Sequence, residues 1–312
     1  MQNEERLHAL DAVRAFALLA GIVLHAAMSF MPGLTAFGFP ADSSQSPALQ
    51  IVFYVIHVFR MPLFFFLAGY FAHLTFHRKG AAGFTRDRVK RIAVPLLVGW
   101  LCFGPLAMMG VYLAFGPEVT GAPPPAGGFP LSHLWFLYYL LLIYAVAISA
   151  RALISRTLDR QGHVGALVDR VVRRAVNAYT APVLLAAPIA ACLYFTPNWI
   201  PWTGIPTPDS GLIPQLPAMI GYGTAFTFGW LMHRQADLLA TWQRGWILHA
   251  IGALALTAAS LWLTQQAPNP FAIDPAIKAA SAICYALAAW NWVFALIGAA
   301  LRFLSNESAM RR

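Results

Sequence analysis

Three ionisable side chains fall within the first apolar stretch of the sequence, and a helix would place them on one face. Asp11, Arg14 and His25 are separated by three and eleven residues, and eleven residues complete almost three turns at about 3.6 residues per turn. Arg14 and His25 would then lie about 16 Å apart along the helix axis. A guanidinium binds anions, and an imidazole transfers protons near neutral pH. This face could therefore hold an anionic group at one level and catalyse proton transfer at another.

The same residues also have a structural interpretation. Arg14 could reach the membrane surface along its aliphatic stem, and His25 could make a single hydrogen bond between helices. The sequence alone leaves both interpretations open.

The second apolar stretch places a permanent cation near its middle. His57 and Arg60 are three residues apart and would be neighbours on a helix. A guanidinium at membrane depth needs a partner, which could be Asp11 or a carboxylate or phosphate of a substrate. His133 and Trp135 stand at the start of the fourth stretch, where aromatic residues commonly mark only the membrane interface. We treat Asp11, His57, Arg60, His133 and Trp135 as candidate substrate-binding residues.

The elements that position these residues are predicted to be transmembrane helices. The chain is 59% hydrophobic and 11% charged, and its mean hydropathy is +0.62, which is outside the range of soluble domains. Apolar stretches long enough to span a bilayer as helices lie at residues 10–31, 49–73, 92–115, 134–150, 179–195, 213–232, 246–264 and 276–304. We therefore predict an all-α, polytopic bundle of about eight spans that forms a single domain over residues 1–312.

The distribution of basic residues predicts how this bundle is oriented. The first, third and fifth connections contain no Lys or Arg, whereas the second, fourth and sixth contain many. Those residues are Arg78, Lys79, Arg86, Arg88, Lys90, Arg91, Arg151, Arg156, Arg160, Arg170, Arg173, Arg174, Arg234 and Arg244. Because positive residues accumulate in cytoplasmic loops, both termini are expected to be cytoplasmic, in a cell inner membrane. The net charge of +9 then indicates contact with membrane lipids and gives no reason to expect nucleic acid.

Two further patterns limit the range of functions. Residues 164–176 could form an amphipathic helix along the inner membrane surface, although a simple charge cluster after a span would look the same. Cys102, Cys192 and Cys284 each fall within a predicted span and show no CxxC spacing. No disulfide framework, metal site or tightly bound cofactor is therefore expected.

Four segments of the first 140 residues resemble, in order, the motifs of the membrane-bound acyltransferase-3 family. LDAVR at 10–14, followed by ten residues and His25, is similar to the signature of that family's first helix. FRMPLFFFLAGY at 59–70, RVKRIAVP at 88–95 and SHLWFL at 132–137 are similar to its later segments. The details at His57, Arg60 and Tyr70 are most similar to its glucan biosynthesis protein C subgroup.

The resemblance implies transfer of an acyl group, such as succinyl, from an acyl-CoA donor to a hydroxyl of a cell-envelope glycan. It assigns His25 and Arg14 to catalysis, with His25 acting either as a base or as a transient acyl carrier. Arg88 and Arg91 would bind donor phosphates, although both could equally be positive anchors on the cytoplasmic side.

The alternatives from other classes are a transporter or flippase for an anionic glycolipid or small acid, and an inactive assembly partner. Transport would use Arg14 and Arg60 as ligands and His25 as a proton relay. Family members usually continue into further helices with a Tyr-x-x-x-His pattern, whereas this chain ends at residues 305–312. We therefore expect either a truncated or frameshifted member or one in which the last helices are dispensable.

Overall fold

Long helices account for most of the part of the chain that the structure describes. The computed structural model describes residues 2–32, 42–115, 131–157, 159, 161–177, 179–208, 211–266 and 272–305. The α-helices in these residues are α1 (Gln2–Met28), α2 (Pro47–Arg88), α3 (Val94–Phe115), α4 (Trp135–Thr157), α5 (His163–Asn177), α6 (Ala181–Phe195), α7 (Leu216–Arg234), α8 (Leu239–Gln265) and α9 (Pro275–Phe303). The predicted all-α fold is confirmed.

The starts of two helices follow ordinary capping chemistry. The Ser46 side chain accepts a hydrogen bond of 3.4 Å from the backbone N–H of Leu49, and Pro47 opens α2. The Asp274 carboxylate likewise accepts from Ala276 N and Ile277 N, with Pro275 opening α9. Proline suits a first helical position because its missing N–H would have no helical partner there.

The multi-pass architecture is supported, but not the full number of spans. Within the described residues, five helices are long and apolar enough to cross a membrane, or six if the bent pair of α5 and α6 forms one span. Two predicted spans fall on one helical run, Pro47–Leu106, which includes a non-helical residue at Gly80 and a π-helical turn at Val89–Ala93. The α6 helix has only 15 residues. Eight spans and cytoplasmic termini therefore stay predictions.

The predicted amphipathic segment is helical, but its apolar residues do not share one buried side. It corresponds to α5, in which Val172 and Val176 are buried against the bundle. Val164, Leu167 and Val171 are exposed. The apolar residues of α5 thus form one face toward the protein and a second face away from it.

The centre of the bundle is a close crossing of α2 and α7. A Cβ atom built on Gly69 would overlap the backbone carbonyl of Phe226, and one built on Gly229 would overlap that of Phe66. Small residues at such a crossing let two membrane helices approach until their backbones touch. Aromatic rings of both helices pack beside the contact, including Phe65 against Tyr222 at 4.7 Å between ring centroids.

Replacing Gly229 with Leu should prevent the native packing of α2 and α7. The added side chain would meet the Phe66 carbonyl, so the backbones would have to separate, and overpacking of this kind costs about 1–3 kcal/mol or more. We expect a lower midpoint of thermal unfolding in detergent and more aggregate in size-exclusion chromatography. Gly223→Ala on the same helix is the control, because a Cβ there meets nothing within 4 Å. Equal stability of both variants would contradict the close crossing.

Candidate active site

A cavity of about 790 Å³ opens between α1, α2 and the start of α4, and five of the nine candidate residues line it. These residues are His25, His57, Arg60, His133 and Trp135. The segment around the short helical turn Pro201–Thr203 closes one side of the cavity. Its size falls within the range of roughly 300–1,000 Å³ that small-molecule sites usually occupy.

The two histidines that line this cavity from α1 and from the α4 side face each other. Their ring centroids are 4.6 Å apart, and the ring planes are tilted by 43°. His25 lies in the last turn of α1, and His133 lies in the short helical turn Ser132–Leu134 that precedes α4. Ser132 adopts a φ of +46°, which is uncommon for a residue other than glycine. This backbone conformation leads directly into the turn that carries His133.

The ring of His57 is already held by the protein. Its Nε2 lies 2.9 Å from the carbonyl oxygen of Thr203, which can only accept, so Nε2 carries the proton in this hydrogen bond. The ring also stacks on Phe53 with centroids 5.5 Å apart. His57 therefore joins α2 to the covering segment, and the hydrogen bond leaves only Nδ1 of this ring to act toward the cavity.

Arg60 is a cation in the cavity, and in the part of the chain that the structure describes it has no acidic partner. Its guanidinium packs over Gly21 of α1, where any Cβ atom would collide with it, and its Nε is buried without a hydrogen-bond partner. Among the described residues that line the cavity, none is Asp or Glu. The cavity is thus suited to a substrate with an anionic group.

Asp11 is not the partner of Arg60, which corrects one of the two explanations considered for that cation. The Oδ1 atom of Asp11 lies 2.9 Å from Nη2 of Arg14, one turn further along α1. Both side chains are about half exposed. The local pair forms because residues three apart on a helix are already neighbours.

Comparison with known proteins agrees with the motifs of the first half of the chain. The acyltransferase-3 sequence profile, described as an acyltransferase domain, matches residues 7–310. The chain belongs to the acyltransferase-3 family. Glucans biosynthesis protein C from Salmonella paratyphi B, Salmonella heidelberg and Salmonella enteritidis is in each case 28% identical over 156 residues, or 46% of this chain. The matched region spans only 38% of the length of those relatives, and no solved structure matches the chain.

Within this family member, Arg14 lies apart from the cavity. Besides its pair with Asp11, its guanidinium carbon lies 5.4 Å from the centre of the Phe71 ring on α2. Arg14 is not among the residues that line the cavity, so the structure does not bring it together with His25 and Arg60 there. The shared helical face did not bring it there because about 16 Å of helix separates Arg14 from His25.

The basic residues at the end of α2 are engaged with their own neighbours. Arg88 donates to Asp87 at 2.9 Å and lies over the rings of Phe84 and Tyr144, at 4.9 and 5.4 Å from their centres. Arg91 lies 3.4 Å from Asp87, and its side chain is 75% exposed. Of the two, Arg91 is the more accessible to a donor phosphate, and phosphate binding by either residue stays a prediction.

Three further residues shape the cavity and were not predicted from sequence. Ser132, Trp202 and Thr203 line it, and Trp202 also stacks on Tyr54 with centroids 4.8 Å apart. Trp202 and Thr203 lie in a proline- and glycine-rich loop, whose composition predicts a turn and not its position in space. Trp135 was predicted; it is buried and packs against Tyr222 at 5.5 Å, so it is more than an interfacial residue.

Proposed function

We propose that this protein is an integral membrane O-acyltransferase. It moves an acyl group from a cytoplasmic acyl-CoA donor to a hydroxyl of a cell-envelope glycan. The observation that carries the proposal is the cavity in which the rings of His25 and His133 face each other beside Arg60, whose Nε has no hydrogen-bond partner among the described residues. Membership of the acyltransferase-3 family and the similarity to glucans biosynthesis protein C support the same reaction class.

In the proposed reaction, the acceptor oxygen attacks the carbonyl carbon of the donor thioester. His25 takes the proton of the hydroxyl as the new C–O bond forms, the C–S bond breaks, and the protonated His25 returns that proton to the leaving thiolate. A route in which His25 first carries the acyl group uses the same residue and the same final products. His133, with its ring centroid 4.6 Å away, is placed to orient the His25 ring or to pass the proton onward.

Arg60 supplies the cavity with its permanent positive charge. An acyl group that itself bears a carboxylate, such as succinyl, would place an anion within reach of this guanidinium. A charge-assisted hydrogen bond of that kind is about twice as strong as a neutral one. Arg60 lines the cavity, so its guanidinium can make such a contact there.

A transfer assay tests the proposed function directly. Membrane vesicles that contain the protein would receive acyl-CoA labelled in the acyl group, together with a periplasmic-type glucan as acceptor. We expect the label to appear in the glucan fraction as an ester that mild base releases. Vesicles without the protein are the control. If the label or a free dicarboxylic acid crosses the membrane without becoming esterified, transport and not transfer is the function.

A further inference from the structure

The α5 helix has a buried apolar face, an exposed apolar face and an exposed basic face, and only the first packs on the protein. Val172 and Val176 are buried, and two ion pairs fasten the helix to the end of α7 and the turn that follows it. These pairs join Asp169 to Arg234 at 2.6 Å and Arg173 to Asp237 at 2.7 Å. The α5 helix is thus held in one orientation, and its other two faces point away from the bundle.

Those two outward faces have the chemistry of a membrane surface helix. Val164, Leu167 and Val171 are 39%, 54% and 53% exposed and lie within about 60° of one another at 100° per residue. Beside them, Arg170 and Arg174 lie one turn apart and are exposed. In the described part of the chain neither arginine has an acidic partner, unlike Arg173 on the same helix. An apolar face flanked by free cations is typical of helices in the lipid interface.

The angle of α5 agrees with such a position. The chain bends by 105° between α5 and α6. With α6 as the span predicted for residues 179–195, this bend would place α5 close to the membrane plane. The exposed arginines would then lie near the depth of the lipid phosphates.

An apolar groove begins at α5 and continues between α6 and α7. It has a volume of about 600 Å³ and is lined mainly by aliphatic side chains, including Val171, Ala175, Leu184 and Leu231. Val171 belongs both to this groove and to the exposed apolar face of α5. The apolar surface is therefore continuous from the groove to the helix turn that bears Arg170 and Arg174.

We propose that this groove and the two arginines form a binding site for an anionic phospholipid. One acyl chain occupies the groove between α5, α6 and α7, and the phosphate lies against Arg170 and Arg174. A zwitterionic lipid could fill the groove, but the unpaired cations favour a headgroup with net negative charge. The site goes beyond the proposed transferase function, because no step of acyl transfer uses it.

Lipid retention measured by native mass spectrometry tests the site. The protein would be released from nanodiscs that contain phosphatidylglycerol and phosphatidylcholine, and the retained lipids would be counted. Each arginine near a membrane surface contributes roughly fivefold to the affinity for anionic lipid. Arg170→Gln with Arg174→Gln should therefore lower phosphatidylglycerol retention by well over tenfold. Arg86→Gln, which removes an exposed charge from α2, should leave retention unchanged.

A second variant tests the groove separately from the charges. Gly223 lines the groove, and a Cβ there meets nothing within 4 Å, so Gly223→Leu should fill the groove without disturbing the helices. It should displace the retained lipid while both arginines remain. Size-exclusion profiles would check whether each variant is folded. If Gly223→Leu fails to fold, the result of the arginine variant decides whether the site exists.

Three results would overturn the proposal. The first is unchanged phosphatidylglycerol retention in the arginine variant. The second is equal retention of phosphatidylcholine, which would indicate an ordinary annular lipid. The third is a dimeric mass that Gly223→Leu converts to a monomer, because a second copy of the chain would then cover the groove.

Discussion

Replacing His25 with Gln is expected to abolish nearly all acyl transfer while expression and membrane insertion stay close to normal. A hydroxyl must lose its proton as it attacks, and a positioned base contributes about 10²–10⁴-fold to such a step. Glutamine can keep a hydrogen bond at this position but cannot accept a proton near neutral pH. The measurement is the initial rate of label transfer to the glucan at saturating donor. His25→Ala should show the same loss, because neither substitution leaves a base at position 25.

His57→Gln is the matched control within the same cavity. The His57 ring already donates to the Thr203 carbonyl at 2.9 Å, and a glutamine amide can replace that donor. We expect a loss of rate much smaller than that of His25→Gln. Near-normal transfer by His25→Gln would instead show that the His25 ring serves only packing. The role of base would then pass to His133, which shares the cavity.

The sequence predicts the helices of this bundle better than their arrangement. Stretches at residues 10–31 and 134–150 correspond to α1 and α4, because a long apolar run flanked by polar residues has few other stable conformations in a membrane. Span counting is less secure where helices are short or joined. The α6 helix has 15 residues, and the helical run Pro47–Leu106 contains two predicted spans. Length and hydropathy do not determine how such segments are divided.

The candidate site could be predicted in part because ionisable residues at membrane depth are costly and so attract attention. That reasoning singled out His25, His57 and Arg60, which line one cavity. It did not place His133 opposite His25, since that contact joins residues more than one hundred positions apart. It also left Asp11 as a partner of Arg60, although the local pair with Arg14 was readable from the spacing of three residues.

Replacing Arg60 with Leu is expected to lower kcat/KM for transfer by roughly 10- to 100-fold, because a hydrogen bond to a charged group contributes about 1.5–3 kcal/mol. The stability of the helix bundle itself should not fall. The Nε of Arg60 has no partner among the described residues, and the described cavity lining offers no carboxylate to leave unpaired. A charge at membrane depth costs about 2.5 kcal/mol or more to insert, so removing it also makes insertion more favourable. The midpoint of thermal unfolding should therefore stay equal or rise while transfer falls.

The split between activity and stability separates a substrate ligand from a structural arginine. Arg60→Lys keeps the positive charge but not the planar set of guanidinium hydrogen-bond donors. It should therefore retain part of the activity that is lost in Arg60→Leu. Arg244→Leu is the control for loss of a cation from the same chain, because that side chain is exposed and outside the cavity lining. Comparing two acyl donors makes the test more specific. In Arg60→Leu, the rate of transfer of a dicarboxylic acyl group should fall far more than the rate of transfer of an acetyl group carried by the same linkage. If Arg60→Leu unfolds at a lower temperature and its rate of transfer falls equally with both donors, the cation stabilises the fold and does not bind the substrate.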